Sequence, residues 1–240
     1  MTAAGMTARA QVRRRRLSSV LLDGLGPAGA WTALHLAAAG VGTLLLRDGG
    51  EVSAAQVGRP YLTVHHGVSR VSALQDLLGR EERPPAVVDC PGDMRPSASD
   101  ICVLLRDGMP TPAEVAAASA GSTLVLPVGI GAETAEAGPL LARPEDLQGF
   151  ACAACWRPQQ ERDREAPGRD GPKEGPETLL EQAAAVLIAR QLLILLDGVR
   201  RPELTGCGMS LGPDGGVAQH PVRPQPDCEC QLCPPEPLPL

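Results

Sequence analysis

The 240-residue chain has few aromatic residues, a single lysine and no strong basic excess. Aromatic residues make up 2% of it, so alanine, leucine and valine must fill the core. The formal net charge of -6 offers no basic field to attract nucleic acid. No signal peptide is recognisable before the first predicted strand. The most apolar stretch, 183–196, is interrupted by Arg190 and Gln191 and looks too short to span a bilayer. We therefore expect a cytoplasmic protein that binds neither nucleic acid nor membrane.

The one basic cluster is a run of four arginines at 13–16. Because such runs are usually solvated, residues 1–17 are predicted to be a disordered basic tail. Residues 18–240 are predicted to form one domain, since this length suits a single α/β unit. Within it, the segment 157–177 is rich in charge, proline and glycine and is predicted to be a flexible loop. Residues 228–240 form a cysteine-rich end.

Short apolar runs alternate with helical patterns along this domain. Strands are predicted at 20–22, 43–46, 86–89 and 124–128, and helices at 28–39, 68–78, 112–118 and 178–196. The alternation is typical of an α/β, Rossmann-like fold, in which a doubly wound and mainly parallel sheet carries helices on both faces. Apolar runs of this kind fit strands that are buried on both sides.

A glycine motif joins the first predicted strand to the first predicted helix. The stretch VLLDGLGPAGAW contains Gly24, Gly26 and Gly29 in the pattern G-x-G-x-x-G. Such glycines permit a tight turn, close approach of a phosphate and close packing of helix on strand. Asp48 follows the second predicted strand, where an acid would hold ribose hydroxyls. These residues predict an adenine-nucleotide site; the alternative is a glycine-rich turn that binds nothing.

Eight cysteines in a cytoplasmic protein favour metal binding or free thiols over disulfides. Two closely spaced groups could supply four thiolates to a structural zinc ion. The five cysteines that compete for these four positions are Cys152, Cys155, Cys228, Cys230 and Cys233. A thioredoxin-like redox pair is the alternative for the first two. The others, Cys90, Cys102 and Cys207, are predicted to be small buried residues rather than nucleophiles.

The glycine turn, Asp48, the late paired cysteines and the apolar helix between them together resemble the ThiF family, over roughly residue 18 to the C-terminus. These adenylating proteins are related to MoeB and the ubiquitin-activating enzymes. The resemblance implies ATP-dependent activation of the C-terminal carboxylate of a peptide or small carrier protein, with release of pyrophosphate. It also implies a homodimer.

The resemblance further implies roles for individual residues. Phosphates would lie at the glycine turn and the ribose at Asp48. Arg59 and Arg70 would neutralise the triphosphate, with Arg70 standing where the family has a lysine. Asp89 or Asp93 would hold magnesium.

Several positions depart from the family pattern. Gly50 replaces a second aspartate, Gln56 and Gly58 stand where asparagines are usual, and Pro60 replaces a glutamine. Asp89 and Asp93 are one residue further apart than the family's aspartate pair. Because loss of one electrostatic group at such a site typically lowers the rate about 100-fold or more, these changes together favour weak or absent catalysis.

A narrower resemblance concerns the two cysteine-bearing stretches, AGPLLARPEDLQGFACAACW and HPVRPQPDCEC. They look like segments of actinobacterial ThiF-like proteins from thiazole/oxazole-modified peptide pathways. This implies a second hypothesis, a catalytically degenerate scaffold that partners a cyclodehydratase in ribosomal-peptide natural-product biosynthesis. A nicotinamide-dependent oxidoreductase accounts for the glycines and Asp48, but not for the cysteines or Arg59.

Overall fold

A computed structural model describes residues 8–91, 99–142 and 177–222. The helices are α1 (Ala8–Leu17), α2 (Pro27–Ala38), α3 (Arg70–Leu78), α4 (Pro112–Ser119) and α5 (Thr178–Asp197). The strands are β1 (Ser19–Asp23), β2 (Thr43–Arg47), β3 (Ala86–Asp89), β4 (Ser99–Asp107), β5 (Ser122–Ile130), β6 (Ala135–Ala137), β7 (Leu141–Ala142), β8 (Cys207–Leu211) and β9 (Val217–Pro221).

All nine strands form one mixed sheet in the order β3-β2-β1-β4-β5-β6-β8-β9, with β7 also paired to β5. Strands β1 to β5 pair with one another in parallel. The remaining pairings are antiparallel. The expected Rossmann-like α/β architecture is therefore confirmed for β1–β5, whereas the sheet as a whole is mixed rather than mainly parallel.

The sequence-based prediction lacks the central strand β4, which lies between β1 and β5. Its core, 101–105, is a continuous apolar run that is buried on both faces. The strand predicted at 124–128 is consequently the fifth in the chain. Strand order reverses between β1 and β4, because β2 and β3 lie on one side of β1 while β4 and β5 lie on the other. Ligands of open α/β sheets bind at such a switch point, beyond the carboxyl ends of the strands.

Helices cover both faces of the sheet, as predicted. Val20 and Leu22 of β1 share a core cluster with apolar residues of α2, α3 and α5. Leu21, which points to the opposite face, packs in a second cluster with Cys102 and with Val115 of α4. This alternation follows from the two-residue period of a β-strand.

The predicted disordered tail is wrong for residues 8–17, which form α1 and pack against α5. Arg15 donates from Nε and Nη2 to the carboxylate of Asp197, at 2.6 Å each, and from Nη1 to the carbonyl of Ala39 at 3.1 Å. Arg14 donates to the carbonyl of Asp197 at 3.2 Å. Asp197 ends α5 and Ala39 caps α2. Arg14 and Arg15 therefore bind carbonyls at the negative dipole ends of two helices, and Arg15 is partly buried rather than solvated.

The helix predicted at 178–196 is α5, Thr178–Asp197. At 20 residues it is, by length and composition, the one described helix that could cross a membrane. However, half of its residues are buried within the described structure, where α5 packs against α2. It is thus the central helix of the core.

Candidate functional site

The glycine motif forms the turn between β1 and α2. Gly24 has φ +109°, a conformation that L side chains rarely adopt, and a Cβ there would overlap the carbonyl oxygen of Leu105 in β4. A Cβ at Gly29 would overlap the carbonyl oxygen of Gly24. These two glycines are therefore required by close packing of the turn against β4 and α2.

Gly26 differs from Gly24 and Gly29 because a Cβ there would meet no atom of the described structure within 4 Å. It lies at the N-cap of α2, and no side chain caps this end of the helix in the described structure. Pro27 occupies the first turn. The open space above Gly26 adjoins uncapped N–H groups and the positive end of the helix dipole. Such a site attracts phosphates and other anions.

Asp48, directly after β2, holds the glycine turn in place. Its Oδ2 accepts from the N–H of Leu25 at 2.7 Å, and its Oδ1 accepts from the N–H of Gly50 at 2.7 Å. The hydroxyl of Tyr61, which is fully buried, donates to the carbonyl of Leu25 at 2.7 Å. Burial raises the pKa of Tyr61, so its hydroxyl remains a donor. Both polar groups of the Leu25 backbone are thus held by neighbouring segments. Sequence reasoning missed Tyr61.

Arg70, at the start of α3, pairs with Asp48. Its Nη1 lies 3.2 Å from Oδ1 and 3.1 Å from Oδ2 of that carboxylate. Its Nε donates to the carbonyl of Glu51 at 3.2 Å. The structure therefore brings together two predicted site residues, but places the guanidinium on the carboxylate expected to bind ribose.

Arg59 faces Glu181, in the first turn of α5, at 3.8 Å between Nη1 and Oε2. The Glu181 side chain is only 4% exposed, and its Oε2 finds no hydrogen-bond partner among the described residues. Burial, the largest effect, raises the pKa of Glu181 to about 7; Arg59 opposes this shift and Asp107 adds to it. Glu181 was missed by sequence reasoning. The signal for it was an acidic residue inside an otherwise apolar helix.

Charged residues also meet at the carboxyl ends of β1 and β4. Arg106 donates to Oδ1 of Asp23 at 3.0 Å and to Oε1 of Glu114 at 2.8 Å. The backbone N–H of Thr111 and then Arg106 lower the pKa of Glu114 to about 2. Asp107, the last residue of β4, is exposed. These residues were missed together because β4 was not predicted.

The predicted metal residues are only partly described. Asp89 is exposed at the end of β3, an edge strand two positions from β1. Asp93 and the five cysteines predicted to bind zinc, at 152, 155, 228, 230 and 233, lie outside the described residues. Within the described ranges, no three His, Cys, Asp or Glu residues converge as a metal site. Cys90 and Cys102 are buried as predicted, whereas Cys207 is half-buried.

Comparison with protein-family models and with curated proteins finds no match for this sequence. Solved structures do match. E. coli MccB with its peptide MccA has a TM-score of 0.74 and 16% identity, covering 93% of this chain and 69% of MccB. E. coli MccB with ATP has the same TM-score and identity, covering 92% and 69%. PaaA has a TM-score of 0.69 and 20% identity, covering 91% and 77%. These likenesses confirm the expected ThiF-like fold, which this chain shares with MccB and PaaA.

Proposed function

We propose that this protein binds ATP in the crevice between β1 and β4 and activates the C-terminal carboxylate of a peptide or small carrier protein. The observation that carries the proposal is the open, uncapped N-terminus of α2 at the switch point of the sheet, beside Asp48. The fold likeness to MccB, whose structures include complexes with ATP and with the peptide MccA, supports this choice of substrates.

Several described residues support phosphate binding at this turn. Gly26 leaves room above the helix end, and the N–H groups there would bind phosphate oxygens. Arg59 supplies a cation at this edge of the sheet. Asp48 would bind the ribose once Arg70 leaves it. Neutralisation of the triphosphate makes pyrophosphate a better leaving group when the peptide carboxylate attacks the α-phosphorus.

For the accompanying magnesium ion we propose Asp107 in place of Asp89. Asp107 ends β4, the neighbour of β1, whereas Asp89 ends an edge strand. Magnesium needs only one or two carboxylates when phosphates supply further ligands. An Asp107→Asn variant that binds ATP with unchanged magnesium dependence would contradict this assignment, and a weakened magnesium dependence is the expected result.

The test of nucleotide binding is the Gly26→Ala variant, measured by calorimetry with ATP and magnesium. The added methyl meets no atom of the described residues within 4 Å, so we expect the fold to be retained, but it would fill the space proposed for a phosphate. Gly206→Ala is the matched control. A Cβ at Gly206 likewise meets no atom of the described residues within 4 Å, but Gly206 precedes β8 and is not part of the glycine turn. We expect ATP binding to be lost only in Gly26→Ala. Equal ATP affinity in both variants would refute a phosphate at this position.

A non-catalytic scaffold of the same fold is the second candidate, and one observation favours it. Both cations predicted for the triphosphate face carboxylates of the chain itself, Arg70 at Asp48 and Arg59 at Glu181. Such a protein could present a peptide to a cyclodehydratase without adenylating it. Pyrophosphate exchange with candidate peptides separates the candidates: exchange supports the enzyme, and peptide binding without exchange supports the scaffold.

Both candidates include a homodimer and one structural zinc ion per chain, held by four of the five late cysteines. Elemental analysis of the purified protein should find one zinc per chain, and light scattering should give the mass of a dimer. Zinc-free protein or a monomer would overturn the respective proposal.

A further inference from the structure

In the described part of the chain, the contacts of the Asp48 carboxylate leave no acceptor position for a ribose. A carboxylate offers about four lone-pair positions, two on each oxygen. Backbone N–H groups of Gly50 and Leu25 take one on each oxygen, at 2.7 Å. Arg70 Nη1 lies within hydrogen-bond distance of both oxygens and shares one N–H between the remaining acceptor position of each. Two vicinal ribose hydroxyls would need those same two positions.

Gly50 provides the space in which Arg70 reaches Asp48. A Cβ at position 50 would lie 2.9 Å from Cζ of Arg70 and 3.1 Å from both of its terminal nitrogens. Any side chain there would therefore displace the guanidinium. The two departures from the family pattern, Gly50 for aspartate and Arg70 for lysine, are thus physically linked.

We infer that Arg70 is a latch on the ribose position: it occupies Asp48 in the nucleotide-free protein and must leave before a nucleoside can bind. This inference rests on the proposed nucleotide site. The hydrogen bonds from Leu25 and Gly50 remain when Arg70 leaves, so Asp48 stays oriented. When Arg70 leaves, one acceptor position becomes free on each oxygen of Asp48. The guanidinium of Arg70 also becomes available to the phosphates.

The latch lowers the apparent affinity for nucleosides by the fraction of molecules in which it is open. One charge-assisted N–H shared between both oxygens of a mostly buried carboxylate favours the closed form by about tenfold. Removing the latch should therefore tighten nucleoside binding by about tenfold.

Two variants open the latch in different ways. Gly50→Ala displaces Arg70 while keeping its charge, and the clash involves the mobile end of a side chain rather than backbone. Arg70→Met removes the guanidinium. Gly49→Ala is the control, since it stiffens the same loop but its methyl meets no atom within 4 Å. The probes are adenosine, which has the ribose hydroxyls but no phosphate, and ATP with magnesium, each measured by calorimetry.

We expect Gly50→Ala and Arg70→Met to bind adenosine about tenfold more tightly than wild type and Gly49→Ala. Gly50→Ala should also bind ATP more tightly than wild type. Arg70→Met should show no such gain in ATP affinity, because it lacks the cation for the phosphates. Equal adenosine affinity in wild type and all three variants would overturn the latch and leave the nucleotide site standing. Absence of adenosine and ATP binding in every variant, each shown to be folded, would instead reject the proposed function together with the latch.

Discussion

Replacing Arg15 by methionine tests whether α1 is docked as the structure shows. Arg15 makes two 2.6 Å hydrogen bonds to Asp197, whose side chain is 8% exposed, and a third to the carbonyl of Ala39. Methionine retains most of the aliphatic stem but leaves the Asp197 carboxylate buried without these donors. Removing one partner of a fully buried pair costs about 3–5 kcal/mol. Arg15 is 22% exposed, so water can partly replace it, and we expect a loss of about 2–4 kcal/mol.

The assay is urea denaturation at neutral pH, with Arg13→Met as the matched control. Arg13 lies in the same arginine run and the same helix but is exposed. Its replacement should change the free energy of unfolding by less than about 0.5 kcal/mol. If both variants unfold at the same urea concentration with the same slope, α1 is not docked through Arg15, and the solvated tail expected from the arginine run is the better description.

Two further predictions concern residues around the candidate site. Because the pKa of Glu181 rises from 4.5 to about 7 on folding, its stabilising contribution is complete below pH 4.5 and is lost as the pH rises to about 7. In the wild type this change lowers the unfolding free energy by about 1–3 kcal/mol, and Glu181→Gln should not show it. Parallel pH profiles of the unfolding free energy for wild type and Glu181→Gln would contradict the prediction. Tyr61→Phe keeps the packing but leaves the Leu25 carbonyl without its donor. We expect about 1–3 kcal/mol lower stability by urea denaturation and weaker ATP binding by calorimetry; unchanged values would show that water replaces the hydroxyl.

Local sequence patterns were sufficient for the β1–α2–β2 unit. The helix predicted at 28–39 is Pro27–Ala38 and the strand predicted at 43–46 is Thr43–Arg47, because glycines and short apolar runs mark these boundaries directly. The same kind of local sequence pattern did not predict strand β4. Its apolar run follows a segment rich in proline, glycine and aspartate, and a short buried strand has no period that distinguishes it from other apolar sequence.

The arginine run shows what composition alone does not predict about charged residues. The composition of residues 13–16 predicts a solvated cluster. The sequence of the first seven residues contains no pattern against that prediction. Arg15 instead binds an aspartate 182 residues later in the chain. Whether a charged residue is solvated or paired depends on such distant partners, which only the folded chain brings into range.

The four residues proposed to hold a nucleotide can be read from local sequence patterns. Gly24, Gly26 and Gly29 act through the backbone of one turn, and Asp48 follows from its position after the next strand, so spacing alone identifies them. The tertiary structure decided what the charged residues face: Arg70 lies on Asp48, Arg59 lies opposite Glu181, and Asp107 stands beside the switch point. The physical reason is that electrostatic pairing depends on distances between elements. These distances arise only when the helices pack on the sheet, and no local pattern of residues records them.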